Sequence, residues 1–219
     1  SHLSIMKLET QCLHAGYSPE STTNACAVPL YKTSTFVFNN TEHAASLFGL
    51  RELGNIYTRL MNPTTDVLEQ RVAAMEGGAA GLGIASGTSA VFYSIINIAQ
   101  EGDEIVSANN LYGGTYTQFN DILPKFGIKV KFVDPNDPAN FAAAVTDKTK
   151  AIFCESVSNP GLDVADIKAI ANVADDHRIP LIVDSTFSTP YLTNPIEHGA
   201  SIVIHSLTKW MGGHGNGIG

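Results

Sequence analysis

Sustained hydrophobic periodicity begins only near residue 60 of this chain. Before it, polar turns such as Ser21-Thr22-Thr23-Asn24 interrupt short apolar runs such as Thr35-Phe36-Val37-Phe38. A stretch that long without a period of its own is expected to pack on something else, another subunit included. From Asn62-Pro63-Thr64, a turn followed by a helix start, Val67, Leu68, Val72 and Met75 recur at helical spacing, and Gly77-Gly78 stops the helix. Six apolar runs follow, which predict strands: Leu82–Ala85, Glu104–Ser107, Val130–Val133, Ala151–Cys154, Leu181–Asp184 and Ile202–His205. Helical stretches lie between most of them, around 88–100, 114–124, 138–146 and 163–177. Strands alternating with helices predict an α/β fold, a mostly parallel sheet with helices on both faces. The near-continuous apolar strands suit burial on both sides. The expected organisation is an extended segment, 1–60, serving subunit contacts, and a large domain, 61–219. There are no repeats and no low-complexity linker.

Composition narrows the class. The chain has 219 residues, 44% hydrophobic and 16% charged, so it can bury a core and is not a disordered tail. Thirteen basic against 21 acidic residues give a charge of −8. That balance argues against a nucleic-acid or anionic-membrane binder but leaves room for a small anionic ligand. Cys12, Cys26 and Cys154 form no C-x-x-C pair, so neither a zinc site nor a disulfide framework is expected. No apolar run approaches the ~18 residues of a membrane span. A cytoplasmic setting follows as the expectation. Ser1-His2 reads as a cloning remnant, with Met6 as a candidate natural start. The glycine-rich end, Gly212–Gly219, predicts that a polypeptide normally continues beyond it.

In open parallel sheets, ligands collect at the carboxyl ends of the strands. The residues expected there are polar or glycine-rich in each case: Ser86-Gly87-Thr88, Tyr112-Gly113-Gly114, Glu155 with Ser158-Asn159-Pro160, Asp184-Ser185-Thr186, and Ser206-Leu207-Thr208-Lys209. Ser86-Gly87-Thr88 would open a helix whose first amides suit an anion, although an ordinary N-cap serine explains the same residues. Neither a Walker loop nor a complete G-x-G-x-x-G is present. Asp184 ends a buried strand and needs a partner: it either caps the next turn or meets a cationic ring nitrogen. Lys209 is either a surface lysine or a desolvated amine made nucleophilic by its setting. His198, His205 and His214 read as core or loop histidines.

Together these clusters resemble the pyridoxal-phosphate enzymes of the cysteine and methionine transsulfuration group, over about Glu9 to Gly219. His205-Ser206-Leu207-Thr208-Lys209-Trp210-Met211-Gly212-Gly213-His214 is similar to that family's lysine signature. The resemblance implies the large cofactor domain of the aspartate-aminotransferase type (fold type I), without its smaller C-terminal domain. It implies that Lys209 condenses with the cofactor aldehyde, and that Ser206, Thr208 and the amides of Gly87 and Thr88 bind the phosphate. Tyr112 would stack on the ring, Asp184 would pair with the ring nitrogen, and Asn159 and Thr186 would contact the ring. Tyr57 and Arg59 look like the pair that reaches a neighbouring subunit's phosphate, which implies a homo-oligomer, a dimer or tetramer.

Within the family, His14-Ala15-Gly16, Ala27-Val28-Pro29-Leu30-Tyr31, Gly54–Arg59 and Tyr112-Gly113-Gly114-Thr115-Tyr116 look most like enzymes acting on O-acetylhomoserine. The implied reaction is γ-replacement, giving homocysteine and acetate in methionine biosynthesis, with small-molecule partners only. Gly114 stands where methionine γ-lyases carry a cysteine, and Ser185 stands where many relatives have asparagine, a swap expected to be tolerated. The rivals are a cystathionine γ-synthase or γ-lyase on the same scaffold, and a non-catalytic fragment. The arginine that the family's C-terminal domain offers the substrate carboxylate has no counterpart in these residues.

Overall fold

A computed structural model describes residues 6–219, so Ser1-His2 lies outside the described residues. The chain divides into two units, one through Gly83 and one from Ile84 onward.

In the first unit three helices form: α1 (Leu8–His14), α2 (Thr41–Phe48) and α3 (Pro63–Glu76). The α3 boundaries follow from local chemistry. The Asn62 side chain accepts from the Thr64 amide, Pro63 occupies the first turn, where its missing N–H costs nothing, and Gly77 closes the helix in the left-handed region (φ 68°). Thr64 Oγ1 donates to Pro29 O (2.8 Å) and accepts from Tyr31 N (2.9 Å), which ties the 29–31 segment to the start of α3. At Gly16 (φ 75°) a Cβ would lie 2.8 Å from Gln70 Cβ, so only glycine lets the chain after α1 pass this close to α3.

Two expectations for this region are corrected. Residues before 60 are not wholly irregular, because α1 and α2 lie there. The signal for α2 was Asn40, whose side chain accepts from the His43 amide. The Leu82–Ala85 run is not a strand. Its two glycines weaken a ladder, and the segment is bound to α3 instead: Gly83 N donates to Glu69 Oε1 (2.7 Å). Gly81 packs so tightly on the Glu69 carbonyl that a Cβ would overlap it.

The second unit is built on five strands: β1 (Glu104–Ala108), β2 (Lys129–Val133), β3 (Thr149–Glu155), β4 (Leu181–Asp184) and β5 (Ile202–Ile204). They lie in the order β2-β1-β3-β4-β5, and every pairing is parallel. The other five predicted strands are therefore found, and the parallel α/β expectation holds. The central strands are buried almost throughout, as their apolar runs required.

The helices are α4 (Gly87–Ile96), α5 (Gly113–Thr117), α6 (Pro138–Ala144), α7 (Ile167–Asp176) and the short α8 (Thr189–Leu192). In α7 the buried residues Ile167, Ile170, Ala171 and Ala174 make one face at i, i+3, i+4 and i+7. The helix predicted over 114–124 is not one regular α-helix. After α5 it widens into a π turn (Gln118–Ile122) and then becomes a 3-10 turn (Leu123–Phe126) containing Pro124, which has no N–H to continue an α-helical ladder.

The chain leaves β1 toward β2 but leaves β3 toward β4, in the opposite direction. Right-handed crossovers then place the β1–β2 connection on one face and α6 and α7 on the other. Phe119 and Phe153 meet edge to face inside the core (centroids 4.9 Å apart, planes at 78°). The same reversal makes the carboxyl ends of β1 and β3 the topological switch point, where such sheets form a crevice. Among the described residues no helix is long and apolar enough to cross a membrane, and no cluster of side chains could hold a metal ion.

Candidate functional site

The carboxyl edge of the sheet gathers nine of the eleven predicted site residues. α4 starts there because Ser86 caps it: the Ser86 hydroxyl accepts from the Ser89 amide (3.2 Å). The capping reading of Ser86 is therefore correct. It leaves the first-turn amides of Gly87 and Thr88 with no carbonyl inside the helix to donate to. Gly87 lies against the segment after β5. A Cβ here would sit 2.6 Å from Ser206 Cβ and 3.0 Å from Ser206 Cα. Its φ is ordinary, so glycine is required by space alone. The close approach brings the start of α4 and Ser206 together as one rim.

Thr186 connects that rim to the end of β4. Its amide donates to Asp184 Oδ1 (3.0 Å), and its hydroxyl accepts from Ser206 N (2.8 Å). Asp184 is half-buried. Burial pushes its carboxyl above the ordinary value, while the Thr186 hydroxyl and amide and the charge of His205 pull it back. Asp184 thus does cap the next turn, and it also faces a histidine that the sequence placed only in a core or loop.

Ser156, Ser185 and Ser188 form a closed, buried ring of hydroxyls. The spacings are 2.9 Å for Ser156–Ser188, 3.2 Å for Ser185–Ser156 and 2.7 Å for Ser185–Ser188. Sequence reasoning marked Ser185 only as a tolerated swap. Its role as a link between the ends of β3 and β4 needs partners 29 residues away (Ser156), which no local pattern reveals.

Tyr112 follows β1 and Asn159 follows β3. Tyr112 is half exposed, and its ring lies over the backbone at Gly114, where a Cβ would come within 2.5 Å of Tyr112 Cε1. Both residues hang from one side chain, Glu155. Its Oε1 accepts from Tyr112 N (2.6 Å) and its Oε2 from Asn159 N (3.2 Å). Glu155 is 7% exposed. Burial raises its pKa to about 7, helped by the neighbouring Asp184 and opposed by the two amides. Cys154, fully interior, is pushed to about 12 by burial and is no nucleophile at neutral pH.

Lys209 lies in the turn beyond β5, its amide bonded to Ser206 O (3.2 Å). Its side chain is exposed in an open turn past the strand end, so of the two readings this structure shows the surface lysine. The Thr208 hydroxyl donates to Gly219 O (3.2 Å) and accepts from Gly219 N (3.1 Å). Tyr57 and Arg59 belong to the first unit, where the guanidinium stands 5.1 Å from the Tyr57 ring centroid, a cation–π contact.

An all-parallel sheet with a helix start, a half-buried carboxylate and a lysine past the carboxyl ends of its strands defines an α/β domain with its polar groups where such sheets bind ligands. The chain belongs to the Cys/Met metabolism PLP-dependent enzyme family, whose model matches residues 9–219. It is 57% identical over 213 residues to an O-acetyl-L-homoserine sulfhydrylase of Leptospira meyeri, covering 97% of this chain and 48% of that protein. It is 51% identical over 212 residues to O-acetyl-L-homoserine sulfhydrylase 1 of Thermus thermophilus, covering 96% and 50%. Among solved structures, it resembles a putative O-acetylhomoserine (thiol)-lyase from Campylobacter jejuni that carries a pyridoxyl-lysine monophosphate. The TM-score is 0.95 at 43% identity, covering 97% of this chain and 52% of that one. The chain spans about half the length of the curated relatives it matches.

Proposed function

We propose that the protein carrying this chain replaces the acetate of O-acetyl-L-homoserine with a sulfur donor, giving L-homocysteine and acetate, with pyridoxal 5'-phosphate as cofactor. The observation that carries the reading is the meeting of Gly87 with Ser206 beside the Thr186–Asp184 link. These residues fit the cofactor. Because Gly87 has no Cβ, the first amides of α4 and the Ser206 hydroxyl, donors suited to a phosphate, stand side by side, and Thr186 ties Ser206 to the half-buried Asp184 carboxylate. The relatives' names support the substrate, and Gly114 in place of cysteine supports it over methionine γ-lyase chemistry.

When bound, the cofactor withdraws electrons from the substrate's Cα and so acidifies the protons there and at Cβ. The chain's own residues do the rest. Amides of Gly87 and Thr88, with the hydroxyls of Ser206 and Thr208, hold the phosphate. Asp184 keeps the proton on the ring nitrogen, and its position among Thr186 donors fixes that carboxylate. Tyr112 covers one ring face, and Asn159 and Thr186 contact the ring. Lys209 would hold the cofactor, and its amine would take the proton from Cα and then one from Cβ before acetate leaves Cγ; once the sulfur donor has joined Cγ and given up its own proton, the amine would return protons to Cβ and Cα. Tyr57 and Arg59 supply phosphate contacts to a neighbouring copy in a homodimer or homotetramer. The segment 1–60 serves that contact and 61–219 the cofactor domain. Exposed Leu30, Val37, Phe48 and Leu53 suit an interface. A cytoplasmic setting suits the three free cysteines.

The test is product analysis on the full gene product. O-acetylhomoserine with sulfide should yield homocysteine and acetate, and cystathionine alone should yield nothing. Lys209→Ala should abolish both turnover and the visible absorbance of lysine-bound cofactor. Cystathionine cleavage without sulfhydrylation, or retained lysine-bound absorbance in the variant, refutes the reading.

A further inference from the structure

Glu155 ends β3 at the switch point, and nothing in the proposed chemistry uses it. Its position is electrostatically poor. It is nearly buried, and it sits in register beside Asp184 on β4, a second carboxylate. A residue selected for packing alone would be apolar here, since a buried acid costs free energy unless its oxygens are satisfied. Both oxygens are satisfied, and by amides from two different loops. The loop after β1 donates through Tyr112 N, and the loop after β3 donates through Asn159 N. The Tyr112 contact, at 2.6 Å, has the length of a charge-assisted bond. The carboxylate therefore spans the crevice and sets the spacing of the loops on either side of it.

We infer that Glu155 is a positioning residue: its carboxylate holds Tyr112 and Asn159 at the heights from which they meet the cofactor ring. The inference rests on the cofactor reading above. Its chemistry is specific to a carboxylate. Glutamine has the same shape but offers one oxygen and one NH2. In Glu155→Gln one of the two amides faces another donor and loses its acceptor. The affected loop then relaxes away, and a ring contact loosens.

The experiment uses the full holoenzyme at pH 8, with wild type, E155Q and Y112L compared. Expected for E155Q are a roughly tenfold rise in the dissociation constant for pyridoxal phosphate, the scale of one lost charge-assisted hydrogen bond. The visible absorbance maximum should also shift, and kcat should fall more than KM changes. A merely structural glutamate would lower thermal stability and leave the absorbance maximum and cofactor affinity alone, which overturns the inference. If Y112L weakens cofactor binding while E155Q does not, the positioning role fails and the cofactor reading stands. If Y112L leaves cofactor binding unchanged, Tyr112's place in the reading fails, and the inference falls with it. Should E155Q not fold, amide hydrogen exchange on the wild-type protein decides. Slow exchange at both Tyr112 and Asn159 supports the clamp, and exchange as fast as in open loops refutes it.

Discussion

The contact between Gly87 and Ser206 can be tested by adding one methyl group. In Gly87→Ala the new Cβ would stand 2.6 Å from Ser206 Cβ and 3.1 Å from its Oγ. Ordinary carbon contacts lie near ~3.5–4.0 Å, so the helix start and the Ser206 segment must separate by about 1 Å. Two of the three nearest atoms are the Ser206 backbone Cα and its first side-chain carbon, so a rotamer change does not relieve the clash. Overpacking of this kind costs about 1–3 kcal/mol. Alanine returns about 0.5–1 kcal/mol by stiffening the unfolded chain. The clash wins, with a net loss of about 1 kcal/mol. That corresponds to roughly 3–5 °C in Tm for a protein unit of this size. The same separation pulls the Gly87 and Thr88 amides from the Ser206 hydroxyl, and affinity for pyridoxal phosphate should fall about tenfold or more. Gly113 is the control. It also opens a helix and has an ordinary φ, but nothing lies within 4 Å of its Cβ position. Gly113→Ala keeps the gain without the clash and should stabilise by about 0.5–1 kcal/mol. Thermal unfolding and cofactor titration of the two variants settle the matter. Equal Tm values and equal affinities would refute the close approach.

Two further outcomes are expected. Glu155 carries a raised pKa of about 7, so the folded state binds a proton there that the unfolded chain releases near its ordinary value of 4.5. The charged form costs the fold. Its destabilising contribution is absent below pH 4.5, grows as pH rises, and reaches about 3 kcal/mol above pH 7. Denaturant titrations of wild type and E155Q at pH 5 and pH 8 should diverge by that trend, and parallel curves would contradict the burial argument. Phe153→Ala removes a fully buried ring stacked edge to face on Phe119, which should cost about 3–5 kcal/mol by chemical denaturation, with less than 1 kcal/mol speaking against a packed core.

Much of the fold could be read from local pattern. The runs at Ile105, Val130, Ile152, Leu181 and Ile202 are apolar because strands covered on both faces must be. Asn62, Ser86 and Gly77 mark helix ends because capping needs a side-chain oxygen or a left-handed backbone within a few residues. The failures have the opposite character. Leu82–Ala85 looked like a strand, but a ladder needs a partner, and its backbone donor found Glu69 on α3 instead. Pro124 stands in the stretch predicted as one helix over 114–124, and without an N–H it takes part in a 3-10 turn there, not in an α-helical ladder.

The sequence by itself determined the parallel α/β plan and the set of chemical groups at the strand ends. These depend on period, capping and residue type, which act over a few positions. Only the tertiary structure decided how those groups are joined. Glu155 bridging two loops, Thr186 linking Asp184 to Ser206, and the ring of Ser156, Ser185 and Ser188 all connect residues far apart in the chain. A hydrogen bond depends on distance in space, and that distance is set when the sheet brings its strand ends side by side.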